Sequence, residues 1–203
     1  MKKFSFTFLC LLAISITAFS QRQGFGIKAG VTSNHLAFSH LDGDVKYQAH
    51  KTGFVFGLVN HVQVSKHFAI QPGIQVALKG GQAIENKYKT WHIELPVNFL
   101  VTGNGFFAGA GPYISYGVDG RGKGHNVQPD GEADIYSEGE EPPYLFRQVE
   151  GGANVLMGYT FANGLTLSAN FSHGLHNLNK NETGTKIHSR SLGLTITQLF
   201  GKK

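Results

Sequence analysis

The clearest pattern in the chain is a strict alternation between apolar residues and polar or small residues. From His67 to Gly80, one parity is apolar at all six positions, and the other carries small, amide and charged residues. The apolar set is Phe68, Ile70, Pro72, Ile74, Val76 and Leu78. A period of two residues is typical of a strand with one apolar face, and this strand is longer than the usual five or six residues. The segment therefore predicts a long strand with apolar surroundings on one side only.

Similar alternation predicts eight strands in all. They lie near Gly24–Thr32, Thr52–Val64, His67–Gly80, Lys89–Val101, Gly105–Val118, Leu145–Phe161, Gly164–Leu175 and Lys186–Phe200. The connections after strands two, four and six are short, and two of them contain Asn-Gly, which supplies the positive φ of tight hairpins. The other connections are longer, near 33–51, 81–88, 119–144 and 176–185.

Short turns at one end and long loops at the other are typical of outer-membrane barrels. In hydrocarbon every backbone N–H and C=O must be paired within the protein, which leaves only helices or closed barrels. We therefore predict an all-β fold: an eight-stranded antiparallel up-and-down transmembrane β-barrel with short periplasmic turns and long extracellular loops. Two alternatives stay open, a soluble periplasmic lipocalin-like ligand-binding barrel with apolar residues inside, and an outer-membrane barrel enzyme.

The first twenty residues form a separate unit. Lys2 and Lys3 precede a mostly apolar run that ends in Ala18-Phe19-Ser20, with small residues where a signal peptidase needs them. The sequence predicts a cleaved signal peptide at 1–20, a barrel domain at 21–203, and export through the general secretory route to the outer membrane. Cys10, the single cysteine, leaves with the leader.

Composition changes the picture in two ways. The chain has 27 glycines in 203 residues, about twice the usual share of about 7%. An eight-stranded barrel is just wide enough for side chains to fill it, so Gly109, Gly111 and Gly193 are expected to make room for larger interior groups such as Tyr113. The formal charge of +5 comes from 18 basic and 13 acidic residues, and loss of Lys2 and Lys3 leaves 16 against 13, or +3. This weak charge predicts no nucleic-acid partner.

Several short segments occur in an order and spacing known from one family. They are Gly26-Ile27-Lys28-Ala29-Gly30-Val31, Ile70-Gln71-Pro72-Gly73-Ile74, Ile93-Glu94-Leu95-Pro96-Val97, Phe106-Phe107-Ala108-Gly109-Ala110-Gly111-Pro112-Tyr113, Asn163-Gly164-Leu165-Thr166-Leu167 and Leu192-Gly193-Leu194. Through them the mature chain resembles the PorT-like outer-membrane β-barrel family of Bacteroidetes, small eight-stranded barrels often labelled "porin family". The resemblance carries over no catalytic residues, and it implies an association with secretion-system or other envelope proteins as one expectation. The other expected partners are outer-membrane lipid, lipopolysaccharide and, during insertion, the barrel-assembly machinery.

Polar and charged residues occupy the predicted inward positions. They are Lys28, Gln75, Lys79, His92, Glu94, Asn98 and Glu150. Because an unpaired buried charge costs several kcal/mol, we expect these groups to form a paired network that fills and fixes the lumen. A proton- or solute-conducting role is the alternative.

Histidines and carboxylates recur in the predicted first loop, and a His-x-x-His pair ends strand seven. They are His35, His40, Asp42, Asp44, His50, His173 and His176. Their spacing matches no closed zinc site, and a strand sends residues three apart to opposite faces. We expect solvated loop histidines, no metal site and no cofactor.

No catalytic site is predicted either. Ser172 and His173 are adjacent, but alternation points them to opposite faces, so the protein is expected not to be an enzyme.

The third long loop is acidic and is expected to be a solvated surface loop; its carboxylates are Asp130, Glu132, Asp134, Glu138, Glu140 and Glu141. Aromatic residues near strand ends are expected to form interfacial girdles: Tyr88, Trp91, Tyr116, Tyr144, Tyr159, Phe161 and Phe200. The predicted function is structural or interactive, with a filled lumen, no wide pore, and specificity carried by the long surface loops.

Overall fold

The computed structural model describes residues 23–40, 43–82, 86–124, 128–136, 146–180 and 185–201. The predicted leader at 1–20 therefore lies outside the described residues. The strands are β1 (Gln23–His40), β2 (Gly43–Gln63), β3 (Phe68–Gln82), β4 (Asn86–Gly103), β5 (Phe106–Gly124), β6 (Gln128–Asp134), β7 (Val149–Thr160), β8 (Leu165–Gly174) and β9 (Thr185–Phe200). In the described ranges there is no helix that combines the length and the hydrophobicity needed to cross a bilayer.

Eight of these strands close into a barrel in which every pairing is antiparallel. Around the ring the strand order is β1, β2, β3, β4, β5, β7, β8 and β9, and the pairing of β9 with β1 closes the circle. The short strand β6 hydrogen-bonds to β5 near one end of the barrel. The predicted eight-stranded antiparallel barrel is confirmed, and β6 is an addition to it.

The sequence alternation separates the outer wall from the lumen. On β4, Leu95 and Phe99 point outward and are at least half exposed, while Glu94 and Asn98 are buried. On β3, Ile74 is exposed and Lys79 is buried. Because successive side chains of a strand point to opposite faces, apolar groups cover the outside of the closed ring and polar groups collect inside it.

The short connections lie at one end of the barrel, which we call the short-turn end. Asn104 has φ of 51° and Gly105 has φ of 85°, as expected for the Asn-Gly turn between β4 and β5. In the turn between β7 and β8, Asn163 Oδ1 accepts a hydrogen bond from the backbone N–H of Leu165 at 3.1 Å. The local turn residues thus fix both hairpins.

At the opposite end, which we call the cap end, the strands continue beyond their predicted limits. The predicted loop at 33–51 is mostly paired strand, because β1 runs to His40 and β2 begins at Gly43. The last large outward apolar residue of β1 is Val31, and the nine residues from there to His40 extend about 30 Å along the strand. Outside an apolar surrounding, a strand needs no alternating pattern, because the hairpin itself pairs its backbone groups.

The glycines have two roles in the barrel wall, and one of them was not foreseen. A Cβ at Gly111 would strike the carbonyl oxygen of Val97 on the neighbouring strand, so this glycine permits close approach of two backbones. A Cβ at Gly193 would lie 2.7 Å from Oδ1 of the lumen residue Asn170, as the space-making role requires. For Tyr113 the space is provided by Gly152, whose Cβ would lie 2.5 Å from the tyrosine ring.

Candidate functional site

The centre of the lumen holds a network of ionised side chains. Lys79 Nζ on β3 lies 2.5 Å from Glu94 Oε1 on β4 and 3.6 Å from Glu150 Oε2 on β7. Gln75 Nε2 donates a hydrogen bond to the other oxygen of Glu94 at 2.6 Å, and the Ser189 hydroxyl donates to Glu150 Oε1. One lysine is therefore shared by two carboxylates, and each carboxylate has a further polar partner.

This network connects strands that do not pair with each other. Lys79 and Glu94 are on neighbouring strands. Glu150 is on β7, three strands from β3 in one direction around the ring, and Ser189 is on β9, three strands from β3 in the other direction. The contacts therefore run across the lumen. The ring of Tyr113 lies beside the same lysine, with Nζ 5.3 Å from its centroid, a distance typical of a cation–π contact. The network acts as an internal brace between opposite parts of the wall.

The remaining predicted members occupy other places in the lumen. His92 Nδ1 lies 2.9 Å from Ser115 Oγ on β5, a hydrogen bond separate from the ion network. Lys28 and Asn98 line the lumen cavity. In the described part of the chain Lys28 has no carboxylate within ion-pair distance, so the expected pairing of all four ionised groups is found for Lys79, Glu94 and Glu150 only.

The polar part of the lumen contains little free space. The main cavity has a volume of about 50 Å³, and a second one of about 30 Å³ lies beyond the ion network. Lys79 lines both, so the network lies between them. Side-chain oxygens of Gln75, Asn98, Asn154 and Asn170 facing the first cavity have no hydrogen-bond partner within the described ranges. A polar cavity of this volume accommodates a few water molecules, which satisfy such groups.

An apolar layer closes the lumen toward the short-turn end. Ala69, Leu100 and Phe107 form a buried cluster inside the barrel, and Leu156 packs against it. Leu100 is fully buried. This layer was not predicted, although the alternation indicates it. Leu100 has the same parity as the inward residues Glu94 and Asn98 on β4, and Phe107 has the same parity as the inward Gly109 on β5.

A second apolar cluster, which we call the cap, closes the other end. Its buried members are Leu36, Tyr88, Ile135, Phe146, Leu178 and Ile187. Leu36, Tyr88 and Ile187 belong to the barrel strands β1, β4 and β9. Ile135 and Phe146 lie in the connection before β7, and Leu178 lies in the connection after β8. The rings of Tyr88 and Phe146 meet edge to face with centroids 5.5 Å apart.

Backbone hydrogen bonds hold the connecting segments in the cap. Ile135 N–H donates to Gly120 O at 3.1 Å, and Phe146 N–H donates to Ile135 O at 3.0 Å. Leu178 N–H donates to Ile187 O at 2.9 Å. The expectation that the loop at 119–144 is solvated is therefore wrong for Ile135, whose side chain is buried among apolar groups. Leu178, in the connection after β8, is buried in the same cluster. Of the six carboxylates predicted to make the loop at 119–144 acidic, the structure describes only the side chain of Asp134, which is exposed.

The predicted loop location holds for His176, which is exposed in the connection after β8, but not for the described histidines of the predicted first loop. His35, His40 and His50 belong to strands β1 and β2, whereas Asp42 lies outside the described residues. His176 Nδ1 lies 3.2 Å from the backbone nitrogen of Gly151. Ser172 lines the lumen cavity, whereas the His173 ring lies beside that of His188, with centroids 6.1 Å apart. Across the described ranges, no three metal-ligating side chains come together.

Comparison with known proteins decides the family. The profile described as "Outer membrane protein beta-barrel domain" matches residues 19–180, most of the chain. The chain belongs to the outer membrane protein β-barrel domain family. No curated protein matches it in sequence.

A solved outer-membrane barrel shares the architecture. The chain is similar to Neisserial surface protein A, with 14% identity, a TM-score of 0.52, and coverage of 87% of this chain and 97% of that one. It also aligns with the outer membrane protein OprG from Pseudomonas aeruginosa, with 10% identity, a TM-score of 0.44, and coverage of 90% and 98%. At such identities the first likeness shows the fold alone.

The outer wall of this outer-membrane barrel is suited to lipid. Phe56, Ile114, Met157 and Leu194 are each more than half exposed and point away from the lumen. A lipocalin-like barrel has the opposite arrangement, with apolar groups lining a ligand cavity, so that alternative is wrong for this chain. In bacterial barrels the short turns face the periplasm, which places the cap on the extracellular side.

Aromatic residues flank this wall, with one correction. At the short-turn end, Phe106, Tyr159 and Phe161 pack edge to face, with successive centroids 4.7 and 5.0 Å apart. At the other end Trp91 packs against Phe54 at 5.3 Å. Tyr116 and Phe200 are exposed as predicted, and Tyr144 lies outside the described residues. Tyr88 was assigned to the girdle wrongly: it has the parity of Glu94, so it points inward into the cap.

Proposed function

We propose that this outer-membrane barrel is a non-conducting structural and interaction protein, with specificity carried by its extracellular surface. The observation that carries the proposal is the closure of the lumen in three successive layers. These are the apolar cluster around Leu100, the ion network around Lys79, and the cap around Ile135. An ion crossing this lumen would have to displace all three, and the cavities between them hold only a few water molecules.

The test is ion conduction by the purified barrel in planar bilayers. The unmodified protein is expected to give the conductance of a protein-free membrane. A variant with glycine at Phe107, Leu100, Lys79 and Ile135 cuts through every layer and is the positive control for insertion. Stepwise conductance from the unmodified protein would overturn the proposal and favour the proton- or solute-conducting alternative.

The extracellular end supports an interaction role. The β1–β2 hairpin continues about 30 Å along the strand past the last large outward apolar residue of β1, and its residues Ser39 and His40 still pair with β9. A long paired hairpin presents a stable surface far from the lipid. Replacing residues 39–46 by an Asn-Gly turn removes the tip, since Phe38 is paired with Tyr47. Capture of envelope proteins by the intact barrel, but not by the shortened one, is expected in outer-membrane extracts.

The finer assignments also belong to this proposal. We propose a PorT-like barrel that is not an enzyme, exported by the general secretory route, inserted by the barrel-assembly machinery, and associated with secretion-system or other envelope proteins. Its support is the set of sequence segments that resemble that family. Terminal sequencing of the protein isolated from outer membrane should begin at Gln21, and an unprocessed chain would contradict the leader assignment.

A further inference from the structure

The outer face of the barrel has a row of basic side chains on three adjacent strands. Arg190 on β9 pairs in register with His173 on β8 and with His35 on β1. All three have the outward parity, because their neighbours Ser172, Ser191 and Asn34 are lumen residues. His188, whose ring lies beside that of His173, adds a fourth basic group next to the row.

This row lies directly at the edge of the apolar wall. The next outward row toward the short-turn end consists of Phe171, Leu192 and Ser33, and Phe171 and Leu192 are 41% and 56% exposed. The change from apolar to basic groups between two consecutive rows marks the depth at which the acyl region meets the headgroups of the extracellular leaflet.

An apolar groove lies below the row, on the same three strands and the adjacent strand β7. It has a volume of about 690 Å³, and its floor is lowered by the small outward side chains Ala29 and Ala169. Met157, Leu194 and Ile196 form part of its walls. The register places the groove four to six residues below Arg190, or roughly 13–20 Å along the strands. This depth is close to half of the hydrocarbon thickness of about 30 Å.

The guanidinium of Arg190 has no counter-ion among the described acidic residues. Ion pairs among the described residues include those of Lys79 in the lumen and that of Arg121 with Asp119 on β5. The Arg190 side chain is exposed and is not part of any of them. Guanidinium groups bind phosphate oxygens in a bidentate manner, and flanking imidazoles supply further donors.

We propose that the outer face of β8, β9 and β1 binds one phosphorylated glycolipid of the extracellular leaflet. Its phosphate contacts Arg190 between His173 and His35, and an acyl chain fills the groove at Ala29 and Ala169. The guanidinium of Arg190 favours an anionic headgroup, and the apolar groove below it favours a lipid whose chain is attached to that headgroup. This site depends on residence in the outer membrane and not on the closed lumen. His35 lies in the lower part of the extracellular β1–β2 hairpin, and the tip at residues 39–46 takes no part in the site.

The test is native mass spectrometry and thermal unfolding of the full barrel in detergent, titrated with diphosphorylated lipid A. We expect retention of one lipid per barrel and a rise in the unfolding temperature. Arg190→Gln should weaken binding roughly tenfold or more, since hydrogen bonds to charged groups are the strong ones. Arg121→Gln makes the same chemical change elsewhere on the barrel and should leave the affinity unchanged. Equal effects of the two substitutions would overturn the proposal.

Two further arms separate the headgroup from the chain. Dephosphorylated lipid A should bind as weakly to the unmodified barrel as phosphorylated lipid A binds to Arg190→Gln, and equal binding of both lipids would overturn the role of the phosphate. Inorganic phosphate at the same concentration should not raise the unfolding temperature, and a rise equal to that with lipid would overturn the assignment to a lipid.

The groove is tested by filling it. Ala169→Phe should reduce lipid retention, whereas Ala110→Phe, an outward alanine on β5, should not. Unchanged retention in Ala169→Phe would overturn the acyl part of the proposal. Crosslinking of two barrels through this face in the presence of excess lipid would also overturn it, in favour of a second copy of the chain. Folding of each variant is checked by heat-modifiable gel migration.

Discussion

Lys79 on β3 forms an ion pair with Glu94 on β4, with Nζ 2.5 Å from Oε1 in the buried centre of the barrel. The pair is diagonal, because Glu94 is in register with Gln75 and Lys79 with Thr90. Their strands are neighbours, but the same lysine also reaches Glu150 across the lumen. A local pair thereby becomes part of a brace between non-adjacent strands, and the stability of the barrel is expected to depend on it.

Glu94→Gln is expected to destabilise the barrel by about 3 kcal/mol, because loss of one partner leaves a buried charge that is incompletely compensated. Unfolding in urea from lipid vesicles measures the change. Asp119→Asn breaks an exposed ion pair, 3.6 Å long, and should cost less than about 1 kcal/mol. An unfolding midpoint that does not move in Glu94→Gln would show that the pair contributes nothing to stability.

Ile74→Arg and Gln75→Arg test the assignment of the two faces on adjacent residues. Ile74 is 49% exposed on the outer wall, and an arginine at mid-bilayer costs about 2–4 kcal/mol. Gln75 lines the lumen cavity and already donates to Glu94, so an arginine there retains an acidic partner and should be milder. Equal free energies of unfolding for the two variants would contradict the face assignment.

Gly117→Ala tests the contact between β5 of the barrel and Tyr136 at the cap. A Cβ at this position would collide with the hydroxyl and ring of Tyr136, which packs against the cap. Overpacking typically costs about 1–3 kcal/mol, and Tyr136→Leu in the same chain should restore most of that loss. Gly103→Ala is the control, because nothing lies within 4 Å of its Cβ. Failure of Tyr136→Leu to restore the thermal unfolding temperature would contradict the contact.

Ile135→Ser is expected to release the connecting segment from the cap. The side chain is fully buried, and large-to-small changes at such sites typically cost about 2–5 kcal/mol. Limited proteolysis of barrels in vesicles should then cut near residue 135 while the transmembrane strands stay intact. Leu175→Ser changes an exposed residue of the same end, and identical protease resistance of both variants would argue against a packed cap.

The transmembrane wall could be predicted from the sequence because its determinants are local. Each outward apolar residue, such as Ile74 or Leu95, is specified by its parity, and the Asn-Gly turns specify their hairpins independently of the rest of the chain. The strands extend beyond these limits where alternation stops. There the pairing of β1 with β2 and β9 is decided by hydrogen bonds between distant segments, and a single segment carries no sign of it.

The lumen was only partly predictable for the same reason. Parity placed Lys79, Glu94 and Glu150 inside, but their mutual contacts depend on the closure and stagger of the ring. The alternation of β1 also places Lys28 inside the barrel, yet no carboxylate of the described residues lies within ion-pair distance of it.

By itself, the sequence determined the number of transmembrane strands, their two faces and their tight turns, because a period of two residues and turn chemistry act over a few residues. Only the tertiary structure decided which inward groups meet, that Tyr88 points into a cap, and that Ile135 and Leu178 close the lumen. Those outcomes require a closed ring of a given radius, and the ring exists only after segments far apart in the chain have paired.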